Sequence, residues 1–182
     1  MLVRRIRNPI LRNLAEWAVS IVLGVLLFLI VRSFVFRLAH VEGNSMEPTL
    51  IHGDMVILNR FSYLFSEPRL GDIVAFPYPQ DPSEFYIKRI VAAPGDVVDL
   101  LNGAFYVNGS QLQDAFSDDV ILAIGDVDFP VIIEDGRFFV LGDNRNGSVD
   151  SRFRSVGTVH ARDMVGRVAV RVWPMSRLGQ VD

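Results

Sequence analysis

An uncharged apolar run near the amino terminus constrains this chain more than any other feature. Residues 17–31 read WAVSIVLGVLLFLIV and carry no charge. Extended back to Leu14, with Glu16 tolerated at the edge, the run would measure about 27 Å as a helix, at about 1.5 Å per residue, which is enough to cross the hydrocarbon of a bilayer. The run predicts one transmembrane helix over residues 14–36, a tail over 1–13 and a single domain over 37–182.

The charges around this run predict its orientation. Residues 1–40 hold six arginines and one acid, and the other 12 basic and 20 acidic residues lie beyond them. Because most of those arginines precede the run, we expect a cytoplasmic tail and an extracytoplasmic domain. A cleaved secretion signal is the alternative, but residues 32–41 offer no convincing pair of small residues. The net charge of −3 does not favour nucleic acid as a partner.

Beyond residue 40 the apolar residues recur with the period of β-strands. Residues 97–101 and 104–107, with Asn-Gly pairs at 102–103 and 108–109, predict a meander of hairpins. Further strands are expected over 73–76, 131–133, 137–141 and 167–173, with 131–133 and 137–141 forming a hairpin. The fold class is therefore mostly β, an antiparallel barrel or two packed sheets. Residues 110–130 show the least pattern and are interpreted as an inserted or peripheral loop.

The basic residues include a single lysine, Lys88, among 18. Arginine keeps its proton at any accessible pH, whereas a buried lysine can lose it and act as a general base. A surface lysine without function is the alternative. Since the chain has no cysteine, thiolate nucleophiles, thiolate metal sites and disulfides are excluded.

Two polar segments offer partners for such a base. Ser45 lies in GNSMEPTL, where Gly43 and Asn44 permit an unusual backbone that would expose the hydroxyl. Taken alone, however, a serine beside proline and glycine is more typical of an ordinary turn. Residues 142–152, GDNRNGSVDSR, form either a generic polar loop or a rigid one braced by Asp150 and Arg152 or by Asp143 and an arginine. A rigid loop would offer Ser148 to orient the lysine.

Taken in order, four motifs resemble the type I signal peptidases, membrane-anchored Ser–Lys proteases that remove leader peptides from exported proteins. They are GNSMEPTL (43–50), LGDIVAF (70–76), YIKRIVAAPGD (86–96) and GDNRNGSVDSR followed by VGRV (165–168). The resemblance implies an all-β peptidase domain that needs no metal or cofactor, with preprotein signal peptides and the lipid bilayer as partners, together with the export machinery. It also implies a location in the cell membrane.

The resemblance also assigns residues. It implies Ser45 as the nucleophile and Lys88 as the general base, with Ser148 positioning the amine and a supporting role for Asp143, Asp150 and Arg152. Gly43 stands where some members have a serine that donates to the oxyanion, so backbone amides, chiefly that of Ser45, must serve. Gly147 stands where asparagine is usual. The implied walls of the pockets that admit small P1 and P3 side chains are Val41, Met46, Leu50, Tyr86 and Ile87.

Other interpretations remain open on the sequence. A specialised Ser–Lys processing peptidase of conjugation or organelles would share the same core, and a membrane-tethered β domain could bind peptides without cutting them. A Ser–His mechanism and a calcium site at Asp118, Asp119, Asp126 and Asp128 are weaker alternatives, since neither a histidine with an acidic partner nor full ligand spacing is evident.

Overall fold

The computed structural model describes residues 9–113, 115–116 and 120–181, and the chain separates into two compact units, Met1–Phe36 and Arg37–Asp182. The first unit contains helix α1 (Pro9–Val35), whose apolar side chains, such as Trp17 and Phe28, are exposed. The sequence predicted a membrane-spanning helix over 14–36. Within the described residues, however, no helix combines the length and the apolarity that crossing a bilayer requires. The first eight residues of the predicted tail lie outside the described part.

The second unit is built almost entirely of strands, as predicted. One short helix, α2 (Ser62–Phe65), interrupts them among the described residues, together with single 3₁₀ turns. The strands are β1 (Phe36–His40), β2 (Met55–Asn59), β3 (Ile73–Tyr78), β4 (Asp81–Ala92), β5 (Val97–Leu101), β6 (Ala104–Val107), β7 (Ser110–Gln111), β8 (Val131–Ile132), β9 (Arg137–Leu141), β10 (Val159–His160), β11 (Gly166–Trp173) and β12 (Gly179–Gln180).

The strands of the described residues form two antiparallel sheets, which confirms the predicted mostly-β, two-sheet class. The large sheet has the order β1-β2-β11-β3-β4-β9-β10, with β12 paired to β11. The small sheet has the order β7-β6-β5-β8. In β9, Phe139 and Leu141 pack into the apolar cluster that includes Val98 and Phe105 of the small sheet, while Phe138 and Val140 pack into a separate cluster. Since side chains alternate across a strand, β9 contributes to two cores at once.

The predicted hairpin turns are found where the Asn-Gly pairs stand. Asn102 and Asn108 adopt positive φ angles of 52° and 53°, and the glycines that follow them have φ of 76° and 77°. Two successive residues in the left-handed region make the tight turn that matches the twist of paired strands. The meander β5-β6-β7 is therefore formed by the turns that its sequence predicts.

Three strand predictions need correction. Residues 131–133 and 137–141 do not form a hairpin, because β8 pairs with β5 of the small sheet while β9 pairs with β4 and β10. Ile133 is buried in the cluster of the small sheet, so the chain crosses between sheets at this turn. Strand β3 continues through Pro77, which is tolerated because pairing with β11 ends at Ala75 and leaves Pro77 a free side. Register shifts in β11 break its predicted strict alternation.

Candidate active site

The loop that carries the predicted nucleophile Ser45, called the nucleophile loop after this prediction (residues 43–50), follows β1. Its backbone is closed by hydrogen bonds from the Glu47 amide to the Asn44 carbonyl (3.1 Å) and from the Leu50 amide to the Met46 carbonyl (2.9 Å). Met46 and Leu50 are buried in the apolar core, which anchors the loop. The side chain of Ser45 is half-buried, and its Oγ lies 2.7 Å from Nζ of Lys88. The structure thus joins the two residues that the sequence singled out.

Lys88 lies in the middle of β4, opposite Val74 of β3, and is only 3% exposed. Its Nζ also lies 5.0 Å from the centre of the Tyr86 ring on the same face of the strand. Burial lowers the pKa of Lys88 from 10.5 to about 8, because the charged form loses hydration. Asp150 and Asp143 raise this pKa and Arg152 lowers it, but burial is the largest effect. The amine is therefore far easier to deprotonate than an exposed lysine.

The loop over residues 142–152, called the catalytic loop after its predicted role, is held by a buried ion pair. Arg152 donates from Nε and Nη2 to the two carboxylate oxygens of Asp150, at 2.7 and 2.8 Å, and both side chains are fully buried. The Gly142 amide donates to Asp150 as well, at 3.1 Å, and Arg152 also donates to the Ser148 carbonyl at 3.1 Å. These bonds fix both ends of the loop to one carboxylate.

A second buried ion pair ties three segments together. Asp143 accepts from Nε and Nη2 of Arg89, each at 2.8 Å, and from the Thr49 hydroxyl at 2.6 Å. Arg89 follows Lys88 in β4, and Thr49 belongs to the nucleophile loop. The Asp143 carboxylate therefore links β4, the nucleophile loop and the catalytic loop. The sequence suggested an arginine for Asp143 but did not identify Arg89 or Thr49. The adjacency of Arg89 to the single lysine was the available signal.

The predicted supporting residues Ser148 and Gly43 lie near the Ser45–Lys88 pair, and each makes different contacts. Ser148 Oγ is buried and has no hydrogen-bond partner among the described residues. A side chain at Gly142 would collide with both Ser148 Oγ and the Ser45 carbonyl, so glycine permits this close approach. Gly43 has a φ of 82°, and its amide donates to Nδ1 of His52 at 3.2 Å. The role of Ser148 as the group that orients the lysine stays a prediction.

A cleft of about 600 Å³ opens beside the Ser45–Lys88 pair, lined mainly by β1, the nucleophile loop and β4. Four of the predicted pocket walls line it, namely Val41, Met46, Tyr86 and Ile87, and Ala39, Leu58 and Ala75 add further apolar surface. Leu50 does not line the cleft. It is fully buried in the apolar core instead, where it packs with residues such as Val56 and Val168.

The calcium site receives no support from the contacts of the described residues. The Asp126 carboxylate accepts a hydrogen bond from the Arg154 amide at 2.7 Å, and the Asp128 carboxylate accepts one from Nη2 of Arg154 at 2.6 Å. Both candidate calcium ligands that the structure describes are therefore bonded to Arg154. Asp118 and Asp119 lie outside the described residues. Within the described ranges, no group of three His, Cys, Asp or Glu side chains is arranged to hold a metal ion.

Arg171 and Arg177 form hydrogen bonds to the backbone of the nucleophile loop, a contact that the sequence did not predict. Arg171 of β11 donates to the Thr49 carbonyl at 2.9 Å, and Arg177 donates to the Pro48 carbonyl at 3.2 Å. Both arginines also donate to the fully buried carboxylate of Asp54 at 3.2 Å. Buried Asp54 thus holds two arginines that fix the backbone just after Ser45.

Comparison with known sequences identifies one family. Residues 14–173 match the model of the family described as signal peptidase, peptidase S26. Similar proteins include "Signal peptidase I" of Leptolyngbya laminosa, 38% identical and covering 92% of this chain and 84% of that protein, and "Signal peptidase I P" of Bacillus subtilis subsp. natto, 31% identical and covering 91% and 92%. The crystal structure of a signal peptidase I from Enterococcus faecalis V583 is 27% identical, with a TM-score of 0.48 over 57% of this chain and 98% of that one.

Proposed function

Because the chain belongs to the signal peptidase family, peptidase S26, and is a serine peptidase, we propose that it removes amino-terminal signal peptides from exported preproteins with a Ser45–Lys88 dyad. The distance of 2.7 Å between Lys88 Nζ and Ser45 Oγ is the observation that carries this proposal. A hydroxyl within hydrogen-bond reach of a buried amine with a lowered pKa has the geometry of a nucleophile and its general base.

The proposed reaction depends on proton transfer between two atoms, Ser45 Oγ and Lys88 Nζ. Neutral Lys88 takes the proton of Ser45 Oγ as that oxygen attacks the scissile carbonyl carbon, and backbone amides, chiefly that of Ser45, stabilise the oxyanion. The intermediate collapses to an acyl-enzyme, and the leaving amine takes the proton from Lys88. Water attacks the ester in turn, giving its proton to Lys88, which returns it to Ser45 as the carboxylate product departs.

The cleft suits an extended peptide with small side chains. Within the described sheet, β1 ends the strand order, and the first half of β4 pairs with β3 alone, since its pairing with β9 begins at Arg89. Two unpaired strand edges thus line the cleft and can accept a peptide by strand addition. Its apolar walls, such as Val41 and Ile87, favour small apolar residues at P1 and P3.

Membrane attachment of the enzyme is part of the proposal. The exposed apolar side chains of α1, including Trp17, Leu23 and Phe28, favour contact with lipid over water. The excess of arginine before residue 17 supports a cytoplasmic tail and an extracytoplasmic peptidase domain in the cell membrane. Contact with the export machinery would follow from this location.

Cleavage of a preprotein by the detergent-solubilised full chain tests the substrate class. We expect one cut at the end of the signal peptide, located by mass spectrometry of both products. Replacing an alanine at P1 with phenylalanine should lower kcat/KM by at least about 10-fold, because the proposed P1 site takes small side chains and even one misfitting methylene costs about that much. The same change at P2 is the matched control. Equal cleavage of all three preproteins would contradict the proposed pocket.

The pH dependence of kcat/KM tests the general base. Only the neutral amine accepts the Ser45 proton, so activity should fall as pH drops through the pKa of Lys88, about 8, and level off above it. The acidic limb should therefore have its midpoint near pH 8 and a slope of one proton. Initial rates on a peptide substrate from pH 5 to 10, with unfolding followed over the same range, provide the measurement. A flat profile from pH 5 to 9 argues against Lys88 as the base.

The two rival functions predict different outcomes. A specialised Ser–Lys processing peptidase would show the same pH profile but would reject ordinary preproteins. A peptide-binding domain without catalysis would bind the signal peptide and leave it intact.

A further inference from the structure

The strap, defined here as residues 120–128, is bonded to the catalytic loop along its length. The sequence placed it in a peripheral loop. The Leu122 amide donates to the side-chain oxygen of Asn146 at 2.8 Å, and the side-chain nitrogen of Asn146 donates to the Val120 carbonyl at 3.1 Å. The Asn146 side chain of the catalytic loop thus bonds to a carbonyl and an amide two residues apart in the strap, as the backbone of a neighbouring strand would.

Arg152 is held by the strap on two sides. Its Nη1 donates to the Ala123 carbonyl at 2.6 Å, and its own carbonyl accepts from the amides of Asp126 and Val127 at 3.1 and 3.0 Å. The guanidinium is fully buried, so each of its donors needs a protein acceptor. Asp150 and the Ser148 carbonyl supply the acceptors on the catalytic side, and the strap supplies the one on the outer side.

Gly125 is the point of closest approach. Its φ is 81°, and a Cβ at this position would collide with the carbonyl of Arg152. A side chain is therefore excluded both by the backbone conformation and by the neighbouring chain. The strap can lie against Arg152 only because residue 125 is glycine.

The strap is anchored beyond the loop as well. Ile121 is buried in the cluster of the small sheet, and its amide donates to the Gly103 carbonyl, in the β5–β6 turn, at 2.9 Å. At the other end, Arg154 binds Asp126 and Asp128. The strap therefore connects the small sheet to the catalytic loop.

We propose that the strap is a positioning element for the peptidase reaction, acting through Arg152 on the Asp150 carboxylate that holds both ends of the catalytic loop. This inference rests on the proposed function. Arg152 and Asp150 share a bidentate pair, and both act electrostatically on the Lys88 amine. The small sheet, which carries none of the proposed catalytic residues, thereby acquires a part in catalysis.

Lifting the strap has a predictable effect on the base. Water would reach the Arg152 guanidinium and then its ion pair with Asp150. Because burial is the largest cause of the lowered pKa of Lys88, partial hydration should raise that pKa. A displaced loop also misplaces the amine relative to Ser45 Oγ, and errors of about 1 Å can cost about 100-fold in rate.

Gly125→Ala is the direct test in the detergent-solubilised full chain. We expect kcat to fall roughly 10- to 100-fold with a much smaller change in KM, because the cleft that binds the peptide is left intact. Gly109→Ala is the matched control, since Gly109 has a nearly equal φ of 77° but no atom within 4 Å of the added Cβ. The control should keep the kcat of the native chain.

The single lysine makes a second readout available. With carbon-13 in lysine alone, NMR would follow Lys88 directly, since the chain has no other lysine side chain. The native protein should titrate at about 8, and Gly125→Ala should move the midpoint upward by about one pH unit. Asn146→Ala removes the three exposed hydrogen bonds to Val120, Leu122 and Ala123. It should shift both readouts in the same direction by less, and it provides the test if Gly125→Ala does not fold.

The outcomes separate the two proposals. A variant that loses thermal stability but keeps kcat and the Lys88 midpoint would overturn the strap proposal and leave the dyad intact. A native lysine titrating near its ordinary value of about 10.4 would overturn the general-base role, and the strap proposal with it. Lower kcat with a raised midpoint, absent in Gly109→Ala, supports both.

Discussion

Replacing Lys88 with arginine should lower kcat for preprotein cleavage about 10²- to 10⁴-fold, the contribution typical of a general base. The substitution keeps the positive charge and most of the bulk of the side chain. A guanidinium cannot lose its proton at the pH of the assay, so it cannot accept the proton of Ser45. Rates under saturating substrate, measured on protein whose thermal unfolding matches the native chain, provide the test.

Two further variants make this result specific. Arg162→Lys is the converse exchange at an exposed position, where the nearest carboxylate oxygen lies 3.8 Å away, and it should retain full activity. Ser45→Ala should abolish cleavage at least as completely as Lys88→Arg, and the double variant should be no worse, because the two groups act as one unit. Retained activity in Lys88→Arg would rule out the amine as the base.

Replacing Asp150 with alanine should destabilise the protein by about 3–5 kcal/mol, because it leaves the buried guanidinium of Arg152 without its counter-charge. Both side chains of the pair are fully buried, and Asp150 also accepts the Gly142 amide. Chemical unfolding of the detergent-solubilised chain would measure the loss as a lower midpoint.

Asp128→Ala provides a matched control for this effect. The bond from Asp128 to Arg154 is 2.6 Å long, against 2.7 Å for Asp150 to Arg152, but the Asp128 side chain is 93% exposed. An exposed pair contributes about 0–1 kcal/mol, since water already solvates both charges. Similar losses in the two variants would show that burial is not what makes the Asp150 pair important.

Local sequence signals predicted the parts of the fold that depend on local physics. The Asn-Gly pairs predicted the turns of the β5–β7 meander, because few other residues adopt positive φ. The pairing of 131–133 with 137–141 was wrong, since a short turn between two apolar strands does not reveal whether they belong to one sheet. Ile133 is buried in the apolar cluster of the small sheet, so residues 131–132 pair with β5 of that sheet. Such burial depends on residues that are distant in the sequence.

Some residues of the candidate site could be predicted from local sequence signals, and others could not. Ser45 and Lys88 could be proposed from the sequence because a single lysine and a glycine-flanked serine are recognisable chemistry, and the family motifs gave their order. Arg89 was not identified as the partner of Asp143, because that pair joins residues 54 positions apart. Residues 120–128 show no periodic pattern, and their bonds to Arg152 and Asn146 involve mainly backbone groups, which carry no signature in the sequence.

The grip of Arg171 and Arg177 on the backbone at Pro48 and Thr49 has a consequence for biosynthesis. A polypeptide whose translation stops before residue 171 already contains every proposed catalytic group, yet it lacks both arginines that fasten the turn after Ser45. We expect such a fragment to be inert, and we expect proteolytic removal of residues 171–177 to inactivate the enzyme. The ability to cut would then depend on residues that carry none of the proposed catalytic groups themselves.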